Sequence, residues 1–246
     1  DEMKNVLVCA KTGSGKTLVG EYQIEVSLKK NKRVFYTTPI KSLSNQKFYD
    51  LKKKFPDASV GIMTGDIKYN PTGSVIVMTT EILCNILYRK NTICENIGIS
   101  ASLKVDDMLD AVIFDECHYI NDPERGHVWE ETLIMLDPKI HLIMLSATFN
   151  SPEIFANWIK HMKGSCVLAC SNNRAVPLNH LAFGFIKEER KPDDLKDKSP
   201  HEIRLYKFMD TRDSIFDQAK YMAWTKTYSI DTMPSPIYRL NQSVYY

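Results

Sequence analysis

Nowhere do these 246 residues hold an apolar run near the roughly 18 residues that read as a membrane span, and no secretory leader opens the chain. Membrane and export readings are set aside on that ground, and no membrane partner is expected. An excess of charge is missing too: 32 Lys and Arg stand against 30 Asp and Glu, a net +2. Global charge therefore neither demands nor excludes a polyanionic partner, which would have to be held by local patches. The six cysteines, Cys9, Cys84, Cys94, Cys117, Cys166 and Cys170, lack the paired spacing of a metal site. Reduced thiols in a cytosolic or nuclear compartment are expected, with Cys166 and Cys170 packing in a core rather than forming a redox pair. No internal repeat divides the chain. What is present, 43% hydrophobic and 25% charged residues, suffices for one sizeable core, or for a core with an appended piece.

Two short strings carry the chemistry. The first, Ala10-Lys11-Thr12-Gly13-Ser14-Gly15-Lys16-Thr17, follows the apolar run Asn5-Val6-Leu7-Val8-Cys9 and precedes a segment of helical character. That is the setting of a phosphate loop. Gly13 and Gly15 let successive N–H groups turn toward phosphate oxygens, and the new helix offers its positive end to the same anion. Lys16 would reach the β- and γ-phosphates of ATP, and the Thr17 hydroxyl would hold Mg²⁺. The second string, Asp115-Glu116-Cys117-His118, ends the apolar run Ala111-Val112-Ile113-Phe114, which suits a central parallel strand. Asp115 is the candidate Mg²⁺ partner opposite Thr17, and Glu116 the candidate to orient and deprotonate the attacking water. A flexible turn and a solvated acidic pair would explain each string alone. Their order, each after an apolar strand, points instead to a nucleoside-triphosphate hydrolase.

Strand and helix then alternate. Strands are expected at 33–37, 59–63, 75–79, 111–114, 141–145 and 166–169, and helices at 42–55, 81–88, 127–136 and 152–161, with an irregular insertion at 91–105. Parallel neighbours need crossover connections, so the alternation predicts an α/β fold with a mostly parallel sheet and helices on both faces. The tail differs. Residues 187–202 (KEERKPDDLKDKSPHE) have the composition of an exposed connector, and the apolar spacing across 203–228 predicts one or two amphipathic helices.

Further segments carry a resemblance. They are Thr38-Pro39-Ile40-Lys41-Ser42-Leu43-Ser44-Asn45-Gln46-Lys47, Thr64-Gly65-Asp66, Met78-Thr79-Thr80-Glu81-Ile82-Leu83, Ser146-Ala147-Thr148, Phe155-Ala156-Asn157-Trp158-Ile159, and the long run 115–131 (DECHYINDPERGHVWEE). With the two strings they resemble the first RecA-like domain of a superfamily 2 DExH-box helicase, of the superkiller-like group that unwinds RNA and feeds it to exosome-type nucleases. The likeness spans about residues 5–180, so 1–180 is expected to be the ATP-binding domain and 181–246 a linker or insertion leading toward a second RecA-like domain that this chain lacks.

The resemblance implies that Ala10, Lys11, Thr12, Gly13, Ser14, Gly15, Lys16 and Thr17 cradle ATP, that Thr17 and Asp115 hold Mg²⁺, and that Glu116 is the base. It makes His118, Ser146, Ala147 and Thr148 the elements that couple the γ-phosphate to the nucleic-acid side. Ala10 stands where many phosphate loops have glycine, a change this group tolerates. Single-stranded RNA, rather than DNA, would be held through its backbone by Pro39, Asn45, Gln46, Thr64, Gly65, Asp66, Thr79, Thr80 and Glu81, which lie at strand ends and helix starts. Lys41, Lys47, Lys52, Lys53 and Lys54 add positive charge along one helix, the last three being equally a solvated face.

Movement in the 3′-to-5′ sense would follow from closure of two lobes, the second supplying an arginine finger, so the chain alone should hydrolyse ATP poorly. The setting implied is the cytosol, with a nucleus or a viral factory as alternatives. A DNA-repair helicase and a nucleotide-gated scaffold are the competing functions.

Overall fold

Consecutive apolar residues dictate the centre of the molecule, because a strand that is hydrophobic on both faces must be covered on both. The computed structural model describes residues 4–91, 108–147, 149, 151–171, 179–185, 203–210 and 215–216. Seven strands of one sheet run parallel: β1 (Val6–Ala10), β2 (Arg33–Thr38), β3 (Val60–Met63), β5 (Val75–Thr79), β6 (Leu109–Phe114), β7 (His141–Ser146) and β8 (Val167–Ser171). The two-residue β4 (Lys68–Tyr69) pairs antiparallel with β3 and was not foreseen. Their spatial order is β4-β3-β5-β2-β6-β7-β1-β8. Every residue of β5 and β6 is buried. This is the mostly parallel sheet with helices on both faces expected from the alternation.

Successive strand residues point to opposite faces, so each strand feeds two cores. On one face Leu7, Phe35, Ile76, Val112 and Phe114 pack with Leu83 of α3 (Thr80–Asn91), Trp129 and Leu133 of α4 (Gly126–Met135) and Ile159 of α5 (Pro152–Lys163). On the other, Val8, Val34, Tyr36, Val77, Ile113 and Leu145 pack with Ile24 of α1 (Lys16–Lys29) and Phe48 and Leu51 of α2 (Lys41–Lys54). Full burial of one such aliphatic or aromatic side chain is worth roughly 1.5–3 kcal/mol. Local signals set helix ends: Pro152 opens α5 and Gly164, at φ +80°, closes it.

A buried polar cluster pins the amino ends of the strands. Asp110 accepts from Ser27 Oγ at 2.7 Å, Gln23 Nε2 donates to Ser27 Oγ at 3.0 Å, and His141 Nδ1 lies 3.0 Å from Gln23 Oε1. It ties α1 to β6 and β7 and leaves the carboxyl ends for ligands.

The chain divides into two compact units, 1–175 and 176–246. The second holds an antiparallel sheet of β9 (Asn179–Phe185), β10 (Ile203–Asp210) and β11 (Ile215–Phe216), with a bulge between Lys207 and Met209. This corrects the helices expected across 203–228: the described residues there are strands. The eight residues of β10, apolar or aromatic at 203, 205, 206, 208 and 209, do not separate a period of 2 from one of 3.6, and the partner strand β9 lies earlier in the sequence. The expected connector at 187–202 falls outside the described residues, as does the expected loop at 91–105 apart from Asn91, which ends α3. Cys170 is a second correction. It is exposed on β8 rather than packed in a core, while Cys166 is partly buried.

Candidate functional site

The two strings meet at the carboxyl end of the sheet because β1 and β6 both flank β7. Residues 11–15 form the turn between β1 and α1. Ser14 N–H donates to the Lys11 carbonyl at 3.1 Å and Leu18 N–H to the Gly15 carbonyl at 3.0 Å. Gly13 at φ +82° and Gly15 at φ +85° hold the left-handed conformations that side chains resist. Gly15 is also the cap of α1, and no side chain occupies the first-turn N–H groups. The helix therefore presents unsatisfied donors to an anion. Lys16 Nζ is sealed from solvent, and among the described residues no atom accepts a hydrogen bond from it. A buried ammonium without an acceptor is costly unless an anion completes the site.

The acidic string is held from several directions. Asp115, 8% exposed, accepts from Tyr36 OH at 2.7 Å and from Glu116 N–H at 3.0 Å, while its own N–H donates to the Thr37 carbonyl at 2.9 Å. Burial first, and then the Asp115 carboxylate, push the Tyr36 hydroxyl well above its ordinary range, so it remains a donor. Lys47 Nζ donates to Thr17 Oγ1 at 3.4 Å and lies 5.9 Å from the Tyr36 ring centre. Lys47 therefore faces the phosphate loop. Glu116 is one of three non-glycine residues at positive φ among the described residues, at +51°, a strain that concentrates at functional sites. Cys117 follows in a short 3-10 helix (Cys117–Asn121), fully buried, and burial raises its thiol well above the ordinary range while Ser146 acts in the opposite sense. That short helix packs against β7.

His118 Nδ1 lies 3.3 Å from Glu116 Oε2, both atoms buried and without the alignment of a hydrogen bond. Burial lowers the His118 pKa below its ordinary 6.5; Glu116 opposes the shift and Lys16 adds to it. The ring is neutral at pH 7 and leaves the Glu116 carboxylate unneutralised. The unfolded chain therefore binds more protons between the folded value and 6.5. Stability is full above 6.5 and falls as pH drops through that window. Denaturant midpoints measured between about pH 5 and 7.5 should decline toward acid more steeply for the parent than for His118→Asn. Parallel curves would remove His118 from this account.

The strand-end face beside the site is tied by Arg125. Its guanidinium donates to the Pro39 carbonyl at 2.6 Å, pairs with Glu81, and stands 5.7 Å from the Trp129 ring centre. Asp122 Oδ1 accepts from the Arg125 N–H at 2.9 Å, which sets that side chain's root. Gly126 must be glycine, since an added Cβ would lie 2.2 Å from the Ile120 carbonyl oxygen. Gly126→Ala is expected to cost about 1–3 kcal/mol, through backbone displacement, in urea unfolding. An unchanged midpoint would mean that the junction yields freely.

The nucleic-acid candidates separate into two sets. Gln46, Gly65 and Asp66 are exposed, and Asn45 and Glu81 partly so. Pro39, Thr64, Thr79 and Thr80 are buried and shape the floor beneath them. Thr80 Oγ1 donates to the Thr38 carbonyl at 3.4 Å, and the Thr64 N–H, expected to be free, donates to the Ile67 carbonyl at 2.8 Å. Asp66 is paired with Lys41 at 2.6 Å. Lys52, Lys53 and Lys54 sit in the last turn of α2, at the opposite end of the sheet, where they complement the helix terminus. Lys54 pairs with Glu21, and Lys52 lies over the Phe48 and Tyr69 rings. Ser146 is buried and Ala147 partly buried at the end of β7, whereas Thr148 lies outside the described residues. Tyr36, Arg125 and Cys117 were missed as site residues, since only the fold shows what each one holds. A cavity of about 470 Å³ beside Leu28, Phe55 and Ser74 lies at the amino ends of the strands, away from this chemistry.

Residues 1–155 match the family described as DEAD/DEAH box helicase. Over 184 residues, 74% of the chain, there is 44% identity to the exosome RNA helicase MTR4 of Homo sapiens and to superkiller complex protein 2 of Mus musculus. The ATP-dependent RNA helicase mtr4 of Schizosaccharomyces pombe matches over the same length, also at 44%. The matched part spans 16%, 14% and 15% of those relatives, respectively. Among solved structures, the Mycobacterium smegmatis helicase Lhr, bound to ssDNA and AMP-PNP, aligns with a TM-score of 0.51 at 24% identity. The alignment covers 68% of this chain and 24% of that one, a likeness of fold alone.

Proposed function

The chain belongs to the DEAD/DEAH box helicase family, and from that premise we propose that it is the ATP-binding lobe of an RNA helicase moving 3′ to 5′ on single-stranded RNA in RNA processing or decay. The observation that carries this reading is Lys16 Nζ, buried without an acceptor among the described residues, beside a loop of two positive-φ glycines. A phosphate group would supply the missing acceptors, and the neighbouring carboxylates suit a nucleoside triphosphate with a divalent cation.

Lys16 would hold the β- and γ-phosphates, and Thr17 and Asp115 would hold Mg²⁺, which when bound neutralises phosphate charge. Tyr36 keeps Asp115 oriented. Glu116 orients the attacking water and takes its proton on a carboxylate oxygen as the water oxygen bonds to the γ-phosphorus and ADP departs. His118, with Cys117 packed in the short helix against β7, would pass the state of that site to Ser146 at the end of the strand. Gln46, Gly65, Asp66, Asn45 and Glu81 would meet the RNA backbone, with Arg125 keeping Pro39 and Glu81 in register.

Residues 181–246 would lead toward a second lobe that supplies the arginine finger. Two of its relatives, an exosome RNA helicase and a superkiller complex protein, support RNA as the strand and an exosome-type nuclease as partner; the setting proposed with them is the cytosol.

Steady-state ATP hydrolysis by the longest natural form, with and without single-stranded RNA or DNA, tests this. Stimulation by RNA supports it. Stimulation by DNA alone would replace it with a DNA-repair helicase, and none by either strand with a nucleotide-gated scaffold.

A further inference from the structure

We propose that Cys9 and Cys170 form a reversible disulfide across the β1–β8 ladder and that this bond weakens nucleotide binding at the adjoining loop. The two residues are register partners in neighbouring parallel strands, so their side chains leave the same face of the sheet. Neighbouring strands lie about 4.7–4.9 Å apart, inside the roughly 4.4–6.8 Å window of Cα separations that a disulfide spans. The Cys170 side chain is close enough to act on the Cys9 thiol electrostatically. One is exposed and the other buried, the arrangement of an entry thiol beside a resolving one.

No other pairing of Cys170 within its strand is open. Cys166 is four residues earlier, about 13 Å along an extended chain, too far for a bond. Burial, chiefly, raises the Cys9 thiol to about 12, and Cys170 adds to the shift. Cys9 therefore stays protonated at rest, and oxidation begins at Cys170.

The oxidant is a peroxide. Cys170 sulfur attacks one peroxide oxygen, the O–O bond breaks, and a sulfenic acid and water result. Cys9 sulfur then attacks the sulfenic sulfur, the S–O bond breaks, and a second water leaves. Two thiols are oxidised by two electrons, and one peroxide becomes two waters.

Closure acts on the nucleotide loop because Cys9 sits one residue before Ala10, and its sulfur feels the charge of Lys16. Side chains on parallel neighbours project side by side, so joining them fixes β1 against β8 at the residue before the loop and limits how the loop adjusts around phosphate. β8 is the sheet's edge among the described residues, and β1 leads directly into the loop.

The effect on nucleotide rests on the ATP site proposed above; the cross-link does not. The full chain is treated with one equivalent of hydrogen peroxide, then scored separately by peptide mass mapping and by titration with a fluorescent ATP analogue and Mg²⁺. The expected result is a peptide joining Cys9 to Cys170, reversed by dithiothreitol, with Kd raised about tenfold. Cys170→Ser should bind as the parent does and lose the response, while Cys166→Ser should keep it. Sulfinic acid at Cys170 without a cross-link, or a cross-link to another cysteine, overturns the pairing. A Cys9–Cys170 bond with unchanged Kd overturns the coupling. A reduced chain that binds no nucleotide would overturn the ATP site alone, since the mass result stands independently.

Discussion

Glu116→Gln is expected to lower kcat for RNA-stimulated ATP hydrolysis by about 10²–10⁴-fold, the usual contribution of a positioned general base, with little change in nucleotide affinity. Glutamine preserves the shape of the side chain and its neighbours, including His118 at 3.3 Å, but cannot take a proton from water. The backbone at Glu116, φ +51°, is set by the junction of β6 and the 3-10 helix and survives the substitution. His118, whose Nδ1 lies 3.3 Å from the same carboxylate, is not expected to substitute as base. The measurement is steady-state turnover together with ATP-analogue binding, on the longest natural form. A variant within fivefold of the parent would transfer the base role elsewhere; loss of binding alongside turnover would make Glu116 a structural residue.

Lys16→Met is expected to act in opposite directions on stability and on binding. Lys16 Nζ is buried with no acceptor among the described residues, so replacing it with an apolar side chain of similar length removes a desolvation cost. The melting temperature of the nucleotide-free chain should hold or rise. Hydrogen bonds to charged groups are worth about 1.5–3 kcal/mol, so ATP affinity should fall by about 10–150-fold. At a nucleotide concentration 100 times the parent's Kd, ligand stabilises the parent by about 2.7 kcal/mol. A variant bound 100-fold more weakly keeps about 0.4 kcal/mol under the same conditions. Thermal unfolding with and without ATP and Mg²⁺ reads both effects. A destabilised apo chain that retains its ligand shift would show that Lys16 serves the fold and not the anion.

These expectations rest on features that differ in how readable they were. The strings 10–17 and 115–118 were legible because phosphate binding needs specific backbone conformations and residue types at short, fixed separation, all of it local in sequence. The parallel sheet was legible for a related reason: strands such as β5 and β6 are apolar throughout, and nothing but two-sided burial suits them. The helix limits at Pro152 and Gly164 were local signals too.

Other features depend on distant partners. Tyr36 read as one more apolar strand residue, and its hold on Asp115, 79 positions away, exists because β2 and β6 are neighbours. Arg125 lay inside a run that carried the family resemblance, yet its bonds to Pro39 and Glu81 span 86 and 44 positions. Lys47 looked like part of a basic helix face until the fold brought it to Thr17. Strand β10 was misread as helix because eight mixed residues carry no decisive period, and pairing with β9 settled it.

Chemistry that lives in a short segment, the nucleotide loop and the acidic string, together with the α/β class, was therefore written in the residue order. The register of neighbouring strands, the bonds that orient Asp115, the partition of strand-end residues between surface and floor, and the adjacency of Cys9 and Cys170 came from assembly. Each depends on which strands lie side by side. That order is chosen by burial of whole faces across the chain, a sum over many weak contacts that no local window contains.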